Sequence, residues 1–254
     1  MKILLSPAKS LNYDLHIETP FATIAHFLKE ADFLIQKLQK SSKKELKELM
    51  KISENLIHLN YERYQNWELP TELGKHVQPA LTVFTGEVYK GLDVSTFSKQ
   101  DFEYAQERLV ILSGLYGVLK PLDLMYPYRL EMGTRWNISS KYKNLYDYWR
   151  NHLSEWINHT TEPDEVIVNL ASNEYFKAID RKTLKRKVIT PIFKDLKGNQ
   201  FKTVAIYAKH ARGAMAREII QREYQEVEEL KGCDVDGYTY NEKMSSATEW
   251  IFVR

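Results

Sequence analysis

The alternation of apolar and polar positions divides the chain into stretches of different period. Lys2–Leu5 is a short apolar run halted at Ser6-Pro7, which predicts an opening strand. From about Phe21 to Trp67 the period is helical. FATIAHFLKEADFLIQKL repeats apolar residues at helical spacing, and SKKELKELMKI places Glu45 three residues after Ser42, a capping box. A third helix is expected from about Ser53 to Trp67, ending before Pro70. Further on, ALTVFTGEVY reads as strand then turn, and SKQDFEYAQERLVIL as helix opened by Ser98 and Asp101. LSGLYGVLKPLDLMYPYRLEMG, rich in Gly, Pro and aromatics, reads as loop, and NLYDYWRNHLSEWINH returns to helix.

The last third alternates. EVIVNL predicts a strand and SNEYFKAI a short helix capped by Ser172; KVITPIF and QFKTVAIYA predict a hairpin turned at DLKGN. YAKHARGAMAREII reads as a helix and TEWIFVR as a closing strand. Strands and helices are mixed without a regular βαβ period. The expectation is a mixed α/β (α+β) single domain over residues 1–254, a central mixed sheet with surrounding helices rather than a doubly wound Rossmann sheet. There is no internal repeat or Gly/Ser linker, and Pro163 is the only candidate boundary.

Composition narrows the function classes. A hydrophobic fraction of 43% and a charged fraction of 28% fit a soluble globular chain with a sizeable core. No apolar run approaches the roughly 18 residues that span a bilayer, and the apolar run after Lys2 is too short for a signal peptide. A cytoplasmic protein without a membrane partner is expected. One cysteine, Cys233, excludes an internal disulfide and a multi-thiolate zinc site. The seven histidines form no HExxH pattern, so neither a metal nor a cofactor is expected.

Net charge conceals an asymmetry. The whole chain carries only +2, yet Lys177–Arg217 holds twelve Lys or Arg against Asp180 and Asp195, a local +10 that leaves −8 elsewhere. Such a window is either an anion- or nucleic-acid-binding surface or a solvated edge paired with distant acids. Within it, Lys209, Arg212, Ala216 and Arg217 share one helical face with Gly213 between them, while Ala208, Ala211, Met215 and Ile219 form an apolar stripe. Small residues among cations leave room for a phosphate to approach.

Two segments place polar residues just past an apolar strand, where ligands collect in open sheets. ILLSPAKS offers Ser6 and Lys9; VIVNLASNEY offers Asn169, Ser172 and Glu174. Ser6 and Lys9 have the S-x-x-K form of a nucleophile and its base, but Pro7 opposes the helical turn that would join them. The plainer reading is a Lys that reaches an anion or a backbone carbonyl and a Ser that caps a turn. FTGEVYKGL lacks the glycine spacings of a phosphate cradle and reads as a turn with a buried Tyr. LSGLYGVLKPLDL, with Gly114 and Gly117, is either an ordinary tight turn or a helix-hairpin-helix turn that aims backbone N–H groups at a phosphate, with Lys120 and Arg129 as local contacts. Glu131 reads as an orienting partner for Arg129 and Arg135.

LLSPAKS, MKIS, FTGEVYKGL, LSGLYGVLKPLDLMYPYRLEMG, VIVNLASNEYFK, KHARGAMAR and the Phe252–Arg254 end together resemble the YaaA family of bacterial peroxide-stress proteins, in the family's order and over essentially the whole chain. The resemblance implies a cytoplasmic oxidative-stress protein of mixed α/β fold with a positively charged cleft, linked to DNA through a helix-hairpin-helix element. Leu112–Asp123 matches that element, and Lys209, Arg212 and Arg217 match the family's basic segment. It implies no established reaction. Two functions are carried forward. One is sequence-independent binding of DNA backbone through Gly114, Gly117, Lys120, Arg129, Lys209, Arg212 and Arg217. The other is an enzyme for a small anionic or nucleobase substrate, built from Ser6, Lys9, Asn169, Ser172, Glu174 and Lys209. Convergence of these segments on one pocket favours the second; a duplex-wide groove favours the first.

Overall fold

The computed structural model describes residues 1–254, and its framework is a mixed sheet of eight strands. Five strands run parallel, in the spatial order Glu249–Val253, Val188–Lys197, Ile167–Asn169, Lys2–Leu5 and Leu109–Ser113. Antiparallel strands finish the edges: Gly117–Leu119 on Leu109–Ser113 and Thr239–Tyr240 on Glu249–Val253. Gln200–Lys202 folds back on the far half of Val188–Lys197. Lys2–Leu5 and Leu109–Ser113 are buried along their whole length, as parallel strands covered on both faces must be, and so read as near-continuous apolar runs. The far half of Val188–Lys197 alternates instead, with one face outward.

Helices follow the caps in the sequence. Ser42 Oγ accepts from the Glu45 N–H while Glu45 accepts from Ser42, opening Lys43–Met50; Ser98 and Asp101 do the same for Lys99–Arg108. Asn144 caps Leu145–His159. Three expectations are corrected. LVIL belongs to the sheet, because the helix ends at Arg108 and Leu109 starts a strand. ALTV forms one fully buried helical turn after Pro79. TVAIYA does not extend the hairpin: the turn at Gly198 is followed by three paired residues, and a helix starts at Ala205.

That helix, Ala205–Gln221, crosses Glu87–Leu92 with the two backbones in close contact. A Cβ on Gly213 would lie 1.7 Å from the Val88 carbonyl oxygen, and one on Gly91 would lie 2.1 Å from that of His210. The small residue between the cations therefore serves helix packing, not the approach of a phosphate. Ala208, Ala211, Met215 and Ile219 are buried as their stripe predicts, but Ala216, placed with the cations by spacing, is fully buried too.

Candidate functional site

Because the five parallel strands point one way, Leu5, Asn169 and Ser113 finish at the same end of the sheet. Beyond the first two the chain forms a pocket of about 300 Å³. Ser6, Lys9, Ser172, Glu174, Lys209 and Arg212 all line it, so the segments expected to converge do so. The two strand ends are stitched together. The Ser172 N–H donates to Ser6 Oγ (2.8 Å), the Ser6 hydroxyl donates to Ser172 Oγ (3.2 Å), and Tyr89 OH donates to the Ser6 carbonyl (3.0 Å). Burial raises the Tyr89 and Tyr175 phenols well above their ordinary pKa, so both remain neutral walls.

Asn169 is not part of the lining. It is buried beneath the pocket, where its side-chain oxygen accepts from the Ala171 N–H (3.1 Å) and shapes the turn that presents Ser172. Ser6 and Lys9 are not assembled as nucleophile and base. The Lys9 ammonium is 2.7 Å from Glu131, whose other oxygen holds Arg129 at 2.9 Å. Glu131 thus orients Arg129, as expected, but its second cation is Lys9 rather than Arg135. Glu174 accepts from the Gly133 N–H (2.9 Å).

Arg212 differs from the other arginines of the basic window. Its side chain is partly buried, its pKa is lowered by desolvation alone, and no carboxylate lies within ion-pair distance. Lys209, one turn earlier and exposed, also has no ion-pair partner. Arg217 on the same helix is neutralised by Asp93 (3.6 Å).

Apart from Arg129, which Glu131 holds beside the pocket, the remaining backbone-contact candidates are dispersed. Leu109–Ser113 and Gly117–Leu119 form a β-hairpin, so Leu112–Asp123 is not a helix-hairpin-helix. The Leu115 and Tyr116 N–H groups of its turn are already taken. Ser113 Oγ accepts from the Leu115 and Tyr116 N–H groups, the Gly114 carbonyl takes the Trp149 indole N–H (2.9 Å), and Gly114 and Gly117 are packed against Leu130 and the Trp149 ring. Lys120 emerges at the opposite end of the sheet from Arg212, its N–H held by Asp123. The basic window is likewise not one surface. Lys187 precedes a ten-residue strand and Lys197 ends it, a separation of about 30 Å. Arg186 is occupied by the Asn158 and Thr161 carbonyls.

Two features went unread in the sequence. Thr85–Tyr89 forms a wall of the pocket, positioned by Gly86 at φ +109°, a backbone conformation open to glycine. A second chamber of about 490 Å³ adjoins the first, sharing Lys9 and Glu174, and brings in Lys51 and Arg135. No helix is long and apolar enough to cross a membrane.

Comparison with known proteins shows the family. The family model described as peroxide stress protein YaaA matches residues 1–244. A UPF0246 protein of Saccharophagus degradans is 44% identical, over 100% of this chain and 99% of its own length. Those of Shewanella sp. (strain ANA-3) and Aliivibrio fischeri (strain MJ11) are 46% and 44% identical, over the whole of this chain and 99% and 98% of theirs. With the LLSPAKS and VIVNLASNEY turns building the pocket and KHARGAMAR forming its cationic wall, the chain belongs to the YaaA family of peroxide-stress proteins.

Proposed function

We propose that this peroxide-stress protein binds a small anionic ligand in the pocket beyond Leu5 and Asn169. One observation carries the reading: Arg212 keeps a desolvated, unpaired guanidinium on the pocket wall. Burying a charge without a partner is costly, and the cost is recovered when an anion arrives. Ser6 and Ser172 supply hydroxyls beside it, and a volume of about 300 Å³ suits a small molecule and excludes a duplex. No acid–base step is assigned, since Lys9 is held by Glu131.

The test is thermal unfolding with inorganic phosphate or sulfate. A ligand at a hundred times its Kd stabilises by about 2.7 kcal/mol, so the midpoint should climb with anion concentration. Arg212→Gln should remove that response while leaving the ligand-free protein about as stable, because it deletes a partly desolvated charge that no carboxylate compensates. A wild-type midpoint indifferent to either anion, or a full response in Arg212→Gln, sinks the reading.

Contact with DNA backbone is the second reading. It is favoured by the exposure of Lys51, Arg135 and Lys209, all unpaired, around the mouth of the joined chambers, where a polyanion reaches them. A gel shift whose affinity falls steeply with salt and ignores base sequence supports it. Retention of the shift in a Lys51→Asn, Arg135→Ala, Lys209→Ala variant removes it.

A further inference from the structure

The two chambers adjoin, with Lys9 and Glu174 lining both. At the junction the charges are largely paired: Glu131 holds Lys9 and Arg129, whose Nε alone is buried without a partner, and Glu174 takes the Gly133 N–H. Away from it they are not. The first chamber retains Lys209 and Arg212 and the second retains Lys51 and Arg135, two cations each with no carboxylate within 4 Å. Pro7, Ala8 and Tyr175 add apolar surface to the first chamber, and Met50 and Ile52 to the second. With Glu87 of the first chamber held by Lys90, two cationic ends and a largely paired middle describe a receptor for an elongated molecule charged at both ends.

We infer that the joined chambers take one ligand with two phosphate-like groups, the first held by Arg212 and Lys209 and the second by Lys51 and Arg135. This rests on the anion reading of the first chamber and extends it. A second tethered group binds at high effective concentration, so a bisphosphate gains over a single phosphate without any new kind of contact. The bridging body crosses the Lys9–Glu131 pair without having to neutralise it.

Isothermal titration of the full chain decides the matter, with inorganic phosphate, fructose 1,6-bisphosphate, adenosine 3′,5′-bisphosphate and a short thymidine oligonucleotide as probes. The variant is Lys51→Asn/Arg135→Ala. Both positions are exposed, and Lys51 lies at φ +54°, which Asn tolerates. At least one bisphosphate should bind about tenfold or more tightly than phosphate. The variant should lose that gain and bind phosphate as the parent does. Which bisphosphate prevails tells a sugar phosphate from a nucleotide. Bisphosphates no tighter than phosphate, or a variant that keeps the gain, overturn this inference and leave the one-anion reading intact. If only the oligonucleotide binds, the ligand is a strand and the inference fails. If no probe binds, both readings fail together.

Discussion

Gly213→Ala isolates what the crossing of Ala205–Gln221 over Glu87–Leu92 demands. The new Cβ would meet the Val88 carbonyl oxygen at 1.7 Å, so reaching an ordinary contact of about 3.4 Å means moving one helix backbone by about 1.7 Å. A flexible side chain could yield, but a carbonyl in a helix carries its whole turn with it. Overpacking typically costs about 1–3 kcal/mol, and a backbone clash belongs at the upper end. Ala returns about 1 kcal/mol of helix propensity, since Gly213 has ordinary helical torsions. The net is a loss of about 2 kcal/mol, or a melting point lower by about 4–8 °C for a domain of this size. Calorimetry of the purified variant reads it directly. Gly91→Ala should act in the same direction through His210, and the double variant should lose less than the sum, because the first clash already parts the helices. A melting point raised by the propensity gain would refute the packing argument. Loss of anion binding at an unchanged melting point would restore the idea that Gly213 makes room for a phosphate.

Other consequences are as sharp. Ser113→Ala leaves the Leu115 and Tyr116 N–H groups and the Tyr128 hydroxyl without their buried partner and should cost about 2–3 kcal/mol in urea unfolding. Gly117→Ala drives a Cβ to 2.5 Å from the Trp149 ring at φ +68°, and should destabilise the hairpin and change the tryptophan emission. Cys233 is buried and its thiol pKa is pushed up by desolvation, so less thiolate forms at pH 8 than in the unfolded chain. Iodoacetamide should label the native protein about tenfold or more slowly than the urea-unfolded one, and equal rates would disprove its burial.

Much of the fold was legible because local chemistry and tertiary structure agree. The Ser42–Glu45 and Ser98–Asp101 boxes begin helices where the spacing says, and Lys2–Leu5 is a strand because nothing but burial on both faces suits four such residues. The errors fall where local signals are silent. LVIL after a helical stretch fits either element, and its pairing with Lys2–Leu5 over a hundred residues away decides for strand. The Gly-rich segment from Leu112 resembles a loop in composition, yet Ser113 satisfies its turn from within, so it is buried where a loop would have stayed wet.

The site separates in the same way. Ser6 and Ser172 were found by position, since residues just past parallel strands face the ligand end of a sheet whatever the other residues are. Lys51 and Arg135 were missed because their place follows from the return of distant segments to the pocket. The charge count misled most, for it weighs cations without regard to what the fold delivers to them. Arg212 and Arg217 lie on one helix and count alike in the +10 window. Asp93, left-handed at the end of Glu87–Leu92, neutralises Arg217, and the same crossing brings no acid to Arg212. What makes Arg212 a binding group is therefore a property of its surroundings: a desolvated cation for which the protein provides no anion of its own.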